Sequence, residues 1–210
     1  MAPDEVIADY VRSARRLLPI CDYMNINLSC PCTCEGQSFF SKAGNLDRLM
    51  EALGELKPGK PVFLKVAPFR GPRQMEEFLA TASRASFVTG FEINLPPGNP
   101  YKRELRTAQE VLDSMPGAVS GKPCESLMNR TMLALYRTMD RSRYRLISAG
   151  GVFTAEDAYR KIRCGASLVQ ILTSFVYEGP GVIASICSGL GRLLERDGFK
   201  TIADAVGVDA

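Results

Sequence analysis

The sequence contains no histidine. This excludes acid–base catalysis by imidazole and metal sites built on histidine ligands. No apolar run approaches the roughly 18 residues that a membrane-spanning helix requires. A signal-peptide pattern is also missing, because Asp4, Glu5 and Asp9 interrupt every apolar stretch near Met1. We therefore expect a cytoplasmic protein, or one that is peripheral on a membrane if a further segment precedes Met1.

A strong charge of either sign is lacking as well. The net charge of +3 is too mild to indicate nucleic acid or an anionic membrane surface as a partner. Cysteine is present in an odd number, seven, which suits a reducing compartment better than a disulfide framework. Cys30, Cys32 and Cys34 alternate, with Cys21 nearby, so a zinc site is an alternative. Tetrahedral sites usually use more widely spaced cysteine pairs, and no second pair stands elsewhere in the chain.

Apolar residues make up 46% of the chain and predict a single domain over residues 1–210. Extended and helical patterns alternate along it, which predicts an α/β fold with a parallel sheet. The predicted strands are 23–28, 62–66, 87–93, 146–148 and 168–172. The predicted helices are 1–18, 46–56, 74–85, 125–136, 156–163 and 182–195. Residues 95–123 hold five prolines and are predicted to form a long loop, of the kind that often covers a site.

Residues 22–36 carry the densest chemistry. A short run of extended-chain formers ends at Asn27 and leads into a loop headed by Pro31. Asn27 offers donors and an acceptor to a planar heterocycle, and Cys30 can act as nucleophile, general base or ligand. The alternative is a buried strand followed by an ordinary loop with an inert thiol.

Lys65 lies within the apolar strand 62–66. A cation in such a run is rarely left unpaired, because burying a lone charge is costly. We interpret it as facing a bound anion or an electron-rich ring. The alternative is a lysine at a strand end that extends to water.

A phosphate site is indicated by two successive strand–loop–helix units. Gly150 and Gly151 follow the strand 146–148, and Thr154 is a candidate N-cap with Asp157 three positions on. The next unit ends in Thr173. Loops after the last two strands of a (β/α)8 barrel commonly bind one phosphate, which makes a flavin or a sugar phosphate the natural ligand. A plain glycine turn with a threonine cap is the alternative.

The pattern of residues 27–31, Asn-Leu-Ser-Cys-Pro, resembles the catalytic loop of dihydroorotate dehydrogenases. The family's further motifs follow in the same order. They are Ser120-Gly-Lys-Pro123, Ala149-Gly-Gly-Val152, residues 161–170, Tyr177-Glu-Gly-Pro180, and residues 197–209 with Asp-Gly-Phe and Ala-Asp-Ala-Val-Gly-Val-Asp. The last three are similar to the class 2, quinone-reducing branch. The resemblance implies an FMN enzyme that oxidises dihydroorotate to orotate in pyrimidine synthesis, with a quinone as electron acceptor. It also implies a (β/α)8 (TIM) barrel, of which this chain holds about the last five βα units and lacks the first strands.

The resemblance also implies roles for individual residues. Asn27 would be shared between flavin and orotate, Cys30 would be the catalytic base, and Lys65 would lie beside flavin N1. Thr33 and Asn94 would contact the substrate. The flavin contacts and the phosphate cradle would be formed by Ser120, Gly121, Gly150, Gly151, Leu172 and Thr173.

Two departures from the family pattern motivate an alternative function. The family's orotate-binding asparagine, two residues after the base, is Cys32 here, and its Asn-Thr-Thr appears as Asn94-Leu-Pro-Pro97. The alternative is a non-catalytic flavin- or phosphate-binding remnant, or an interaction protein, with a degraded orotate site. Because five strands do not close a barrel, we also expect unpaired sheet edges, weak retention of FMN, and self-association or a complementing chain.

Overall fold

A computed structural model describes residues 3–30, 39–40, 42, 44–95, 105–115 and 117–210. Within these residues the chain forms one sheet of five parallel strands, in the order β1-β2-β3-β4-β5. They are β1 Met24–Asn27, β2 Val62–Val66, β3 Val88–Ile93, β4 Arg145–Ala149 and β5 Leu168–Gln170. Each strand lies beside its predecessor in the chain, which is the strand order of a (β/α)8 barrel. All five predicted strands are present, although the last ends at Gln170, two residues earlier than predicted.

Helices connect the strands. They are α1 Pro3–Leu17, α2 Asn45–Gly54, α3 Pro72–Arg84, α4 Gln109–Ser114, α5 Glu125–Thr138, α6 Ala155–Arg163, α7 Thr173–Glu178, α8 Gly181–Asp197 and α9 Ile202–Ala205, with a 3₁₀ turn at Lys122–Cys124. The sequence did not predict α4, α7 or α9, which have six, six and four residues. Such short helices show little periodicity. The loop prediction for 95–123 is therefore wrong where α4 and the 3₁₀ turn lie.

The two faces of the sheet differ in polarity. On the face that packs against the helices, Leu64, Phe91 and Leu146 are at most 1% exposed and form the centre of the apolar core. On the opposite face, Lys65 lies in register with Asn27 on one side and with Glu92 on the other. Because side chains alternate across a strand, this polar row lies one residue out of step with the core residues. The polar face carries the chemistry described below.

The pairing of β2 with β3 contains a bulge. Val62 lies opposite Val88, but Phe63 lies opposite Gly90, so Thr89 is an extra residue on β3. The Val62 amide, displaced from regular pairing, donates to Thr89 Oγ1 at 3.2 Å. Gly90 is required there, because a Cβ atom would lie 2.0 Å from the Arg145 carbonyl oxygen.

The described sheet has two open edges, since β1 pairs only with β2 and β5 only with β4. Large apolar side chains are exposed on β5, on α7 and between them. They are Leu168, Leu172, Val176 and Tyr177, which are 54%, 70%, 69% and 78% exposed. No helix in the described ranges is long and apolar enough to cross a membrane.

Candidate active site

The carboxyl ends of the strands surround a cavity of about 120 Å³. Lys65 at the end of β2 and Gln170 at the end of β5 line one part of it, and the glycine turn after β4 lines another. The remaining lining comes from Asn94, Leu95, Ser120, Gly121, Ala149, Val152, Phe153, Ile171, Leu172, Thr173 and Ser174. Ligands of parallel α/β folds bind at this end of the sheet. The cavity therefore brings together residues from five separate parts of the sequence.

Lys65 is held by an ion pair in the polar row of the sheet. Its Nζ lies 2.6 Å from Oε1 of Glu92, whose side chain is fully buried. Nζ also donates to Oε1 of Gln170 at 3.2 Å. The ammonium therefore has partners within the chain, and 20% of the Lys65 side chain remains exposed. That it faces a bound anion or an electron-rich ring stays a prediction.

Asn27, Ser29 and Asn94 form a hydrogen-bonded cluster where β1 ends. Nδ2 of Asn94 donates to the carbonyl oxygen of Ser29 at 3.0 Å, to Ser29 Oγ at 3.1 Å and to Asn27 Oδ1 at 3.4 Å. Oδ1 of Asn94 accepts from the amide of Leu95. Both ends of the Asn94 side chain therefore already have partners within the chain. Its amide connects the end of β3 to the loop after β1, close to Asn27.

Cys30 follows this cluster and is half-buried. Tyr10 of α1 donates its hydroxyl to the Asn27 carbonyl oxygen at 2.5 Å. Burial raises the pKa of Tyr10, and Cys30 and Asp9 raise it further by charge. Cys30 therefore lies close enough to Tyr10 to affect its hydroxyl by charge, and this hydroxyl is bonded to the end of β1. Thr33, Cys32 and Cys34 lie outside the described residues.

Ser120 and Thr173 join two of the loops that surround the cavity. Ser120 Oγ and Thr173 Oγ1 are 2.9 Å apart. At Gly121, where φ is +81°, a Cβ atom would lie 3.1 Å from Cγ2 of Thr173. Leu172 precedes α7 and is 70% exposed, so its backbone borders the same loop. The structure places all four of these predicted residues along one wall.

Gly150 and Gly151 form a turn that residues with a side chain could not adopt without strain. Both have positive φ angles, +89° and +78°. A Cβ atom would lie 2.8 Å from Sγ of Cys124 at the first position and 2.4 Å from Cβ of Glu125 at the second. The turn therefore packs tightly against the start of α5, which leaves its other side to the cavity.

The helix after this turn begins with a capping box. Thr154 Oγ1 accepts from the Asp157 amide, and Oδ2 of Asp157 accepts from the Thr154 amide at 3.0 Å. Lys122 Nζ lies 2.5 Å from Oδ1 of the same carboxylate. Burial by itself would raise the pKa of Asp157, but the Lys122 contact and the backbone donors outweigh it, and the pKa is lowered. The predicted cap is confirmed, and Lys122 connects it to the loop of Ser120.

Sequence reasoning missed three residues of the site. Glu92 partners Lys65, Gln170 accepts from the same ammonium, and Ser174 lines the cavity. Ser174 is 1% exposed, and its Oγ has no hydrogen-bond partner among the described residues. A signal for Glu92 was present, since it is a charge in an apolar strand, as Lys65 is.

The cavity suits an anionic ligand with a polar ring system. It offers the unpartnered hydroxyl of Ser174, the glycine turn, the hydroxyl pair of Ser120 and Thr173, and the ammonium of Lys65. The described residues contain no group of three or more cysteines, aspartates and glutamates placed to hold a metal ion. Two of the four cysteines of the zinc alternative lie outside those residues.

Comparison with known proteins agrees with this architecture. The family model described as dihydroorotate dehydrogenase matches residues 2–194. The chain belongs to the dihydroorotate dehydrogenase family. It is 37% identical, over 98% of its length, to a dihydroorotate dehydrogenase (quinone) of Anaeromyxobacter dehalogenans (strain 2CP-C), and 34% identical to that of Myxococcus xanthus. A ligand-free dihydroorotate dehydrogenase from Eimeria tenella superposes with a TM-score of 0.83 over 97% of this chain and 60% of its own, at 24% identity.

These matches settle the fold. The five parallel βα units belong to a (β/α)8-type barrel, of which they form a part, as the resemblance implied. The chain spans a little over half the length of the curated family members it matches, 56% and 55% for the two bacterial dihydroorotate dehydrogenases.

Proposed function

We propose that this chain is the FMN-binding portion of a quinone-type dihydroorotate dehydrogenase, which oxidises dihydroorotate to orotate in pyrimidine biosynthesis. The observation that carries the proposal is the single cavity that Lys65, the Ser120–Thr173 pair and the Gly150–Gly151 turn share. The similarity of the chain to curated dihydroorotate dehydrogenases (quinone) supports this choice of reaction. The substrate, the acceptor and the activity of residues 1–210 alone are parts of this proposal.

The residues present fit a flavin mononucleotide. The glycine turn, Thr173 and the unpartnered Ser174 hydroxyl offer donors to a phosphate group. Lys65 offers a positive charge to the ring system, where FMN, when bound, supplies the acceptor for the hydride that leaves C6 of dihydroorotate. Ser120 and Gly121 border the cavity between these two regions.

The roles at the substrate follow from the end of β1. Cys30 would accept the proton from C5 of dihydroorotate as a thiolate, the form of cysteine that acts as a base. Asn27 would bind the substrate ring through its side-chain amide, which lies beside Lys65 in the sheet. Asn94 would act mainly by holding the loop that carries Cys30, because its amide is already bonded to Ser29. Thr33 would contribute a further substrate contact.

The direct test uses the purified 210-residue chain loaded with FMN. Dihydroorotate added without oxygen should bleach the yellow flavin absorbance, and a soluble quinone should restore it. A flavin-loaded sample that does not bleach would contradict the proposal.

The second candidate is a flavin- or phosphate-binding protein that does not turn over orotate. Two observations favour it: Cys32 replaces the family's substrate-binding asparagine, and the Asn94 amide is used within the chain. This candidate predicts a yellow protein that binds FMN and does not bleach with dihydroorotate. The same experiment therefore separates the two functions.

A further inference from the structure

A buried carboxylate lies behind the lysine of the cavity. Glu92 is fully buried on the polar face of the sheet, and its Oε1 lies 2.6 Å from Lys65 Nζ. Its other oxygen, Oε2, accepts from Nδ2 of Asn25. Because an ionised carboxylate is costly to bury without partners, these two contacts account for its place in the fold.

Lys65 and Glu92 differ in their access to the cavity. Lys65 lines it and is partly exposed, whereas Glu92 is absent from its lining. Gln170 contacts the ammonium as well, through Oε1 at 3.2 Å. The ammonium is thus held between a charged partner inside the sheet and a neutral partner at the cavity.

This arrangement determines the charge that a ligand meets. A lone lysine would present a full positive charge, but a lysine paired at 2.6 Å with a carboxylate presents a dipole with its positive end toward the cavity. The pair therefore attracts a nearby anion less strongly than Lys65 would by itself.

We propose that Glu92 is a positioning residue that acts through Lys65 and limits how strongly the cavity prefers reduced FMN over oxidised FMN. This inference rests on the proposed FMN site. On two-electron reduction at neutral pH the flavin ring becomes anionic, while the phosphate group keeps its charge. The ratio of the two dissociation constants, oxidised over reduced, therefore reports the charge beside the ring and not general damage to the site.

The test measures both dissociation constants by equilibrium dialysis, with photochemically reduced FMN under argon for the reduced form. Glu92→Gln keeps the shape of the side chain and removes its charge, so the ratio should rise about tenfold, as expected for an uncompensated charge near the ring. Gln170→Glu adds a carboxylate to the same ammonium at an exposed position. In that variant the ratio should fall.

Glu195→Gln is the matched control, since it removes one negative charge from the exposed surface of α8 and should leave the ratio unchanged. If Glu92→Gln does not fold, Gln170→Glu decides: a lower ratio supports the inference and an unchanged ratio overturns it. If the wild-type chain binds FMN and Glu92→Gln has the same ratio of dissociation constants as the wild type, this inference is overturned and the proposed function is not. A wild-type chain that binds neither form overturns it together with the proposed function.

Discussion

The hydroxyl groups of Ser120 and Thr173 lie 2.9 Å apart and join two loops that are 53 residues apart in the sequence. Thr173→Val removes this hydrogen bond and keeps the methyl group that packs against Gly121. We expect the variant to bind FMN about tenfold more weakly, because it loses a donor to a charged ligand and leaves the Ser120 hydroxyl without its partner. Fluorescence titration of FMN measures the change. Thr138→Val, on the exposed surface of α5, is the control and should bind as the wild type does.

Cys30→Ala should lower the rate of dihydroorotate oxidation by about 10² to 10⁴, the contribution of a positioned general base. FMN binding should be retained, since the thiol is assigned to the substrate. Steady-state kinetics with a soluble quinone measures the rate. Cys187→Ala removes an exposed thiol on α8 and should have no effect. An unchanged rate in Cys30→Ala would remove this residue from the catalytic role.

Lys161 predicts a pH dependence of stability. The side chain is fully buried in α6. Burial lowers its pKa to about 8, although the charges of Cys124, Glu125, Asp157 and Cys164 oppose this in part. In the unfolded chain the pKa returns to 10.5. Between these two values the unfolded chain binds more protons, so the contribution of Lys161 to the free energy of unfolding rises with pH.

Across that interval the rise should reach about 3 kcal/mol, and it should be lost in Lys161→Met. Urea unfolding of both proteins at pH 7.5, 9 and 10.5 gives the difference in the free energy of unfolding. Lys200→Met, at an exposed position, is the control. A difference between wild type and Lys161→Met that does not vary with pH would contradict the assignment.

Apolar side chains at the β5 edge predict association of the isolated chain. Val176 and Tyr177 on α7 are 69% and 78% exposed, beside a strand that has a neighbour on one side only among the described residues. Replacing both with lysine should shift the chain from larger species toward the monomer, because the exposed apolar area falls and like charges repel. Size-exclusion chromatography with light scattering measures the mass at several concentrations.

Ile20→Lys is the control for this prediction, since Ile20 is 80% exposed, lies three residues after the end of α1 and is far from α7 in the sequence. It should leave the mass distribution unchanged. A wild-type chain that is a monodisperse monomer at every concentration, with tightly bound stoichiometric FMN, would show that the open edge needs no partner.

Much of the fold was predictable because its long elements have strong periods. The predicted strand 62–66 has the same ends as β2. The predicted start of α6 is within one residue of the observed start, because the capping box of Thr154 and Asp157 marks that end in the sequence. Short helices were missed for a physical reason. α7 has only six residues, and the apolar residues Ile171 and Leu172 that separate it from β5 extended the predicted strand.

The residues of the site were predictable where the residue itself and its neighbours in the sequence indicate its role. Lys65 and the glycines at 150 and 151 were identified from their own sequence contexts, and they do line one cavity. Glu92 carries the same local signal, a charge in an apolar strand, but its contact with Lys65 depends on the register between β2 and β3, which no local pattern contains. The burial of Ser174 likewise depends on how α7 packs.

The extra residue Thr89 determines which side of the sheet Glu92 occupies. If Thr89 were paired regularly instead of bulged, the pairing that starts at Val62 and Val88 would continue in step and place Phe91 opposite Lys65. The carboxylate would then point into the apolar helix layer. Deletion of Thr89 would instead remove the bulge and keep Glu92 opposite Lys65, because Gly90 would then follow Val88 and still lie opposite Phe63. When family members are aligned, a one-residue gap at this point is therefore compatible with the same charge beside Lys65, whereas a substitution of Glu92 is not.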